Sequence, residues 1–333
     1  MQSDTPDLDH VIPTAVLVRI PITTIDEADL SFVVSSGFDL KPLTFSIQAL
    51  GLLNPPLVRR RPDGQCQIVT GWQRFLVLQG LNRQEIPVFL VPPETPSQWC
   101  LLASLQDNAL GRGFNPLEAA LMISRLLDFF PEDIVLKDHL PLLGLPSSRS
   151  VLQKYQALPL LEEPWQGLLA KGRLSVEAGA RLSSWLAPDR QALLPWFRTL
   201  TLSHSKQLEL LEYFTTLSRR TGTSPASWLA KTALQKILQN PILTPPEKDR
   251  QLWETLRQWC FPRLTQARQV VQTNLQALGL WQHPQIRLQP AAALEDSAWR
   301  LELRFQDPTQ LGRQLTQLQK LLDRPELAAL CQL

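Results

Sequence analysis

The sequence has no CxxC pair, no block of like charge, and no apolar run near the ~18 residues that cross a bilayer. Its four cysteines (Cys66, Cys100, Cys260, Cys331) and four histidines (His10, His139, His204, His283) are scattered along the chain. Spacing therefore offers neither a disulfide framework nor a metal-ligand cluster. Charged residues are scarce at 19%, and 33 Lys and Arg against 31 Asp and Glu leave a net charge of only +2. That balance excludes a histone-like polycation, although DNA affinity depends on where charge sits as well as on its total. The acidic, polar opening MQSDTPDLDH is unlike a signal or transit peptide. The expectation is a soluble, cytoplasmic protein with no membrane partner. What is present suits ordinary cores: 44% of the 333 residues are hydrophobic, which excludes a mostly disordered chain and accommodates two or three domains.

Charge by segment says more than the total. Residues 1–50 carry 2 basic and 7 acidic side chains, whereas residues 151–240 carry 11 and 6, so the positive excess collects in the middle of the chain. PPLVRRR (55–61) and CQIVTG (66–71) read as strands around the turn Pro62-Asp63-Gly64, and IPVFLV (86–91) as a third strand. WQRFLVLQGL (72–81) suits a helix between the last two. Helices dominate from Ser97 to Lys236. Asn115-Pro116-Leu117-Glu118 is a start signal in which Asn caps, Pro takes the first position and Glu reaches back.

A linker, NPILTPPEKD (240–249), precedes a third segment. Leu252, Leu256, Leu264, Val271, Leu275 and Leu278 predict one long amphipathic helix. Strands follow at 285–290 and 299–305, the second with Trp299, Leu301, Leu303 and Phe305 on one face. A last helix carries Leu311, Leu315, Leu318 and Leu322. The fold class is α+β: an N-terminal α/β domain (1–96), a helical middle domain (97–240), and a small α-β-β-α domain (241–333). Two strands close a sheet poorly alone, so the last domain is expected to pair with a second copy as a homodimer.

Two constellations carry chemistry. The first is a strand ending at Thr70-Gly71 and leading into a helix that opens GWQR. A glycine there lets backbone N–H groups approach an anion at the positive helix end. With Arg74 one turn on and Arg59 to Arg61 on the neighbouring strand, it suits a polyphosphate; it is equally a tight turn with surface arginines. The second is a helix-turn-helix pattern. DIVLKDHLPLLG (133–144) forms the first helix, and SSRSVLQKYQAL (147–158) the second. Leu140, Leu143, Val151, Leu152 and Tyr155 pack the pair. Ser147, Ser148, Arg149, Gln153 and Lys154 then face outward, the residue types that read base edges or hold phosphates.

On these residues the chain resembles the ParB/KorB partition family over about residues 15–215. LTFSIQALGLLNPPLVRRRPDGQCQIVTGWQRFLVLQGLNRQEIPVFLV resembles the family's N-terminal domain, in which a GERR box follows the second strand. LQDNALGRGFNPLEAA is similar to its ENxxRxxLNPxEEA box. LGLPSSRSVLQKYQALPLL resembles its helix-turn-helix, and LLAKGRLSVEAGARL the segment after it. The resemblance implies a ParB-like N-terminal domain and a dimeric clamp on double-stranded DNA that binds CTP with Mg²⁺, with a partition ATPase as partner and a nucleoid-associated location. By position it implies nucleotide contacts at Gly71, Gln73, Arg74, Asp107, Asn108 and Arg112 together with Arg59, a metal contact at Asn108, and DNA contacts at Ser147, Ser148, Arg149, Gln153 and Lys154.

The departures fall on the nucleotide boxes. Trp72 stands where the box has Glu, and Gln73 where it has its first Arg. The arginine of the second box aligns with Gly111, with Arg112 one place along. Each arginine lost against a triphosphate removes a charge-assisted hydrogen bond of about 1.5–3 kcal/mol. The expectation is therefore a ParB-like DNA-binding protein, in partition or site-specific regulation, with a degenerate nucleotide pocket and at most weak CTPase activity. The alternatives are a protein–protein adaptor on the same scaffold, and a phosphotransferase or nucleotidase using the Gly71 loop. A sulfiredoxin-like reading lacks its cysteine in TGWQR.

Overall fold

Short runs rich in branched residues build one four-stranded sheet. The structure, a computed structural model, describes residues 13–290 and 299–331. The strands are β1 (Val16–Pro21), β2 (Leu57–Arg60), β3 (Cys66–Thr70) and β4 (Glu85–Val91), in the order β1-β4-β2-β3. β1 runs antiparallel to β4, β4 parallel to β2, and β2 antiparallel to β3, with Val58 opposite both Leu90 and Ile68. Gly64, at φ +87, closes the β2–β3 hairpin as its turn sequence requires. Helices α1 (Lys41–Leu50) and α2 (Trp72–Gly80) cover the sheet. Ile20, Val58, Ile68, Phe75, Ile86 and Val88 form the core between the layers. Neither β1 nor α1 was expected, whereas the other strands and α2 fall where the sequence places them.

Helix α3 (Ser97–Gly111) leaves the sheet and packs on β3, burying Cys100, Leu101 and Leu105. Helix α4 (Pro116–Phe129) begins at the expected capping box: the Glu118 N–H donates to Asn115 Oδ1 at 3.0 Å, and the Asn115 N–H to Glu118 Oε2 at 3.0 Å. Leu117, Met122, Ile123 and Leu126 on its inner face are buried.

The first helix of the predicted helix-turn-helix is not a regular α-helix. A single turn, α5 (Glu132–Ile134), passes into a wider π turn over Val135–His139 and then a 3₁₀ turn over Pro141–Leu143. Pro141 explains the change. It has no N–H for the carbonyl four residues back, and its ring crowds that carbonyl. The Leu140 N–H instead bonds five back, to Val135 O at 2.9 Å. Gly144, at φ +72, ends the segment as expected.

Helix α6 (Arg149–Ala157) is the second helix of the pair and packs between α4 and α8 (Val176–Ser183), with α7 (Glu163–Ala170) also against α4. Helices α9 (Ala187–Thr199), α10 (His204–Thr221), α11 (Pro225–Leu229) and α12 (Thr232–Gln239) follow. The sheet and the helices through Thr215, with Ser224–Ala230, form one compact unit. The expected boundary at 96/97 lies inside it. Thr216–Thr223 and the residues from Lys231 onward form the second unit.

In the second unit the expected long helix is two, α13 (Pro245–Cys260) and α14 (Pro262–Ala277). The break falls at Phe261-Pro262, where Phe261 leaves helical geometry at φ −128, ψ 62. A proline ring disfavours helical geometry at the residue before it, and here the helix breaks. Strands β5 (Ile286–Pro290) and β6 (Trp299–Leu303) pair antiparallel, and α15 (Pro308–Gln319) and α16 (Pro325–Cys331) follow. Ile286 and Leu330 are fully buried with Val271 and Leu275. Leu301 and Phe305, expected on one face of the strand, and Leu315 and Leu322 of the last helix are exposed. No described helix is long and apolar enough to cross a membrane.

His139, on the π turn, is buried with its ring edge-on to Phe130 at 4.8 Å, and neither ring nitrogen has a hydrogen-bond partner among the described residues. Burial holds its pKa below the ordinary histidine value of 6.5, against the opposing pull of Asp138. Below about pH 6.5 the unfolded chain takes up a proton that the folded chain refuses. Folding stability should therefore fall as pH drops from 6.5 toward the folded value, by at most about 1.4 kcal/mol per pH unit. Urea unfolding of wild type and His139→Phe across pH 7 to 5 checks this; equal slopes in the two proteins would refute it.

Candidate functional site

The first candidate site is a cavity of 430 Å³ beside the β3–α2 junction. Gly71 makes the junction. It sits at φ +86, and a Cβ there would lie 3.0 Å from Pro56 Cα, so only glycine fits. Its carbonyl accepts from the Phe75 N–H at 3.0 Å, opening α2. Of the residues expected to contact nucleotide, Gly71, Gln73, Arg74, Asp107, Asn108 and Arg112 all line this cavity. Two stretches of chain 33 to 41 residues apart are thus brought together. Phe32, Ser35 and Asn54 also line it and were not foreseen. They come from loops, where no periodic signal marks a lining residue.

Arg59 is the exception: it is not among the lining residues. Its Nη1 donates to Thr95 O at 2.8 Å and Ser97 Oγ at 3.1 Å, and its Nη2 to Gln67 Oε1 at 2.6 Å. The guanidinium also lies 5.1 Å from the centre of the Phe32 ring. Strand alternation is the reason. Arg59 and Arg60 point to opposite faces, and Arg61 is drawn outward to Asp26, Asp29 and Asp63. The three arginines cannot converge on one ligand.

The two cationic groups in the lining each face a carboxylate. Arg112 donates through Nη1 and Nη2 to the two oxygens of Glu118, both at 2.8 Å, and Glu118 is 0% exposed. Glu118 accepts further from the N–H groups of Ser36 at 2.9 Å and Asn115 at 3.0 Å. Arg74 donates to Asn54 O at 2.9 Å and reaches Asp107 at 3.3 Å, a looser and more exposed pair. Asn108, the expected metal contact, donates through Nδ2 to Ser104 O at 2.8 Å, which leaves Oδ1 as the amide atom able to accept a cation. Among the described residues no three His, Cys, Asp or Glu side chains gather into a metal-holding group. Burial raises the Cys66 thiol and pushes that of Cys100 up to about 11, so neither offers a thiolate at neutral pH.

The second candidate site is the outer face of α6. Leu152 and Tyr155 are buried, and Leu140 and Leu143 of the preceding segment with them; Val151 is half-buried. Ser147, Arg149 and Gln153 are exposed, while Ser148 and Lys154 are half-exposed. Arg149 is the most open, at 79%, its Nε 3.6 Å from Glu132. Lys154 pairs with Glu177 at 2.7 Å. Arg149, Gln153 and Lys154 thus share the side of the helix away from its packing, and Ser147 and Ser148 lie at its start.

Residues 9–109 match the family model described as the ParB N-terminal domain. The chain is similar to the chromosome-partitioning protein ParB of Myxococcus xanthus (strain DK1622), with 31% identity over 183 residues, 54% of this chain and 60% of that one. It is also similar to the probable chromosome-partitioning protein ParB of Chlamydia muridarum, with 31% identity over 144 residues, 41% of this chain and 49% of that one. The chain therefore spans about half to three-fifths of the length of these relatives. Among solved structures it is similar to the C-terminally truncated Caulobacter crescentus ParB complexed to the centromeric parS site. That match has 22% identity and a TM-score of 0.32, and covers 59% of this chain and 98% of the other. The same protein complexed with CTP-gamma-S matches at 25% identity and a TM-score of 0.25, covering 55% and 99%.

The two arginines of the cavity should separate in unfolding experiments. Arg112→Ala strands a carboxylate with no solvent, so a loss of about 3 kcal/mol is expected. Arg74→Ala breaks a partly exposed pair, and its effect should stay within about 1 kcal/mol. Equal losses would show that Arg112 has no special structural role.

Proposed function

We propose that this ParB-like chain, which carries a ParB N-terminal domain, holds double-stranded DNA through the outer face of α6 and serves DNA partition or site-specific regulation. The observation that carries the reading is the placement of Arg149, Gln153 and Lys154 on the solvent side of a helix whose opposite side is packed, with Ser147 exposed just before its start. A recognition helix works in this way: its start enters the major groove, and polar side chains there meet base edges and phosphates. Arg149 and Lys154 are paired only with exposed carboxylates. Such pairs are worth about 0–1 kcal/mol, so DNA phosphates can replace the carboxylates at little cost.

The exposed Leu301, Phe305 and Leu315 of the second unit support the dimer, which would shelter them and supply two DNA-binding units for two half-sites. The cavity at Gly71 is the ligand site in this reading. With Gln73 at an arginine position, it is a weak grip for the CTP–Mg²⁺ that the family resemblance implies.

Arg149→Ala with Lys154→Ala should weaken binding to duplex DNA at least tenfold and lower the slope of log K against log salt by about 2, since two phosphate contacts are lost. Fluorescence anisotropy across a salt series measures both; an unchanged affinity would remove α6 from the interface, and recovery of protein partners without DNA would favour the adaptor. Leu301→Asp with Leu315→Asp should shift the sedimentation coefficient from dimer to monomer. A wild-type monomer at micromolar concentration would refute the pairing.

A further inference from the structure

A cavity of 540 Å³ lies within the second unit, apart from both candidate sites. Every residue from Leu280 to Gln289 lines it, together with Val271 and Leu275 of α14 and Glu302 and Arg304 beside β5. Successive side chains of a strand point to opposite faces, so a cavity over one face is lined by every second residue. Lining by consecutive residues means that this cavity follows the edge of β5. Among the described residues β5 pairs with β6 alone, so that edge is open. The Arg304 N–H donates to Gln285 O at 2.8 Å. By alternation Arg287 and Gln289 also turn their backbone groups to β6, and Ile286 and Leu288 turn theirs outward. His283 Nδ1 accepts from the Ile286 N–H at 3.0 Å. The Leu288 N–H and the carbonyls of Ile286 and Leu288 stay on the edge, and such a row is a template for a further strand.

The two sides of this edge differ. Ile286 and Leu288 lie on the helix side, in one apolar cluster with the buried Val271 and Leu275. On the other side Arg287 stands opposite Glu302 and Gln289 opposite Arg300, with Arg304 next on that face, and all five are exposed. Arg304 engages Glu302 at 3.0 Å, so three arginines against one glutamate leave this face positive. A strand added at the edge sends alternate side chains to the two sides. One set enters the apolar floor, and the other meets the arginines. We infer that the groove binds an extended peptide segment of another protein by strand addition to β5, and that it selects alternating apolar and acidic side chains. A second copy of β5 is a poorer occupant. It would set another arginine-rich face beside the first, and like charges opposed across strands are destabilising. The dimer drawn above uses Leu301 of β6 and Leu315 of α15, so it does not require this edge.

Fluorescence anisotropy tests the groove with the full chain and a labelled heptapeptide, Asp-Val-Asp-Val-Asp-Val-Asp. Its controls are the same peptide N-methylated throughout, which keeps the charge and loses every N–H, and the corresponding Lys-Val peptide. The expected result is saturable binding of the first peptide and at least about tenfold weaker binding of both controls. Arg287→Glu, a change on an exposed face, should weaken the acidic peptide about tenfold and tighten the Lys-Val peptide. Absence of saturable binding would overturn the inference. Equal binding of the N-methylated peptide would overturn it too, because charge alone would then hold the ligand. Sedimentation with saturating peptide gives a further check: conversion of a dimer to monomer would make the edge the seat of a second copy. An Arg287→Glu variant that keeps its peptide affinity but loses affinity for duplex DNA would assign the arginine face to DNA and end the proposal.

Discussion

A single carboxylate with no access to water organises the first unit. Glu118 accepts from both arms of Arg112, from the Ser36 N–H and from the Asn115 N–H. Moving a carboxylate out of water costs several kcal/mol, and the charge is tolerated because its lone pairs are filled and its counter-ion is bidentate. The partners come from three stretches: the loop at 35–36, the end of α3, and the start of α4. Asn115 closes the circuit by donating to Ser36 O at 2.8 Å. One side chain therefore ties the end of α3, the start of α4 and the loop at Ser36 to one another. Helix α4 is in turn a platform on which α6 packs, so the same interaction reaches α6 through the α4 contact.

Burial divides the arginines and lysines of this unit into two kinds. Those around α6 sit in exposed pairs that an anion can exchange into. Arg112 sits against a buried partner and is part of the frame. Arg59, among Gln67, Thr95, Ser97 and the Phe32 ring, is frame as well. Arg74 lies between the two, partly exposed and loosely paired. Counting basic residues along the sequence cannot make this division. The middle of the chain has the largest positive excess, yet what matters for binding is which cations can trade partners.

Much of the fold was legible because local rules and tertiary packing agree there. The β2–β3 hairpin, α2, β4, the Asn115 cap and the Gly144 stop each have a specific residue that demands them. Strand β1 escaped because Val16 and Leu17 are exposed and its alternation gives no clean inner face. Helix α1 escaped for a similar reason: Phe45 and Leu50 are large, apolar and in solvent. The helix drawn across Pro262 and the regular helix drawn across Pro141 are failures of another kind. Apolar spacing continues across both prolines and carries no trace of the missing N–H. The convergence of 71–74 with 107–112 was legible only through family resemblance, since no local rule links residues so far apart. That Glu118 is buried was not legible at all, because a capping box looks the same in water and in a core.

Gly71 shows how far resemblance can carry a chemical argument. A glycine at the end of a strand and the start of a helix invites a phosphate reading, and it is the best-matched residue of its box. Yet its backbone at φ +86 and the approach of Pro56 to within 3.0 Å of any Cβ require glycine whether or not an anion is ever bound. Its presence is evidence for the turn. The next two positions also line the cavity and carry no demand of the backbone kind. There the chain has Trp72 and Gln73, an aromatic face and an amide. Trp72 packs its ring against Phe75 and the sheet core, so of the two only Gln73 is a residue that the core leaves undetermined.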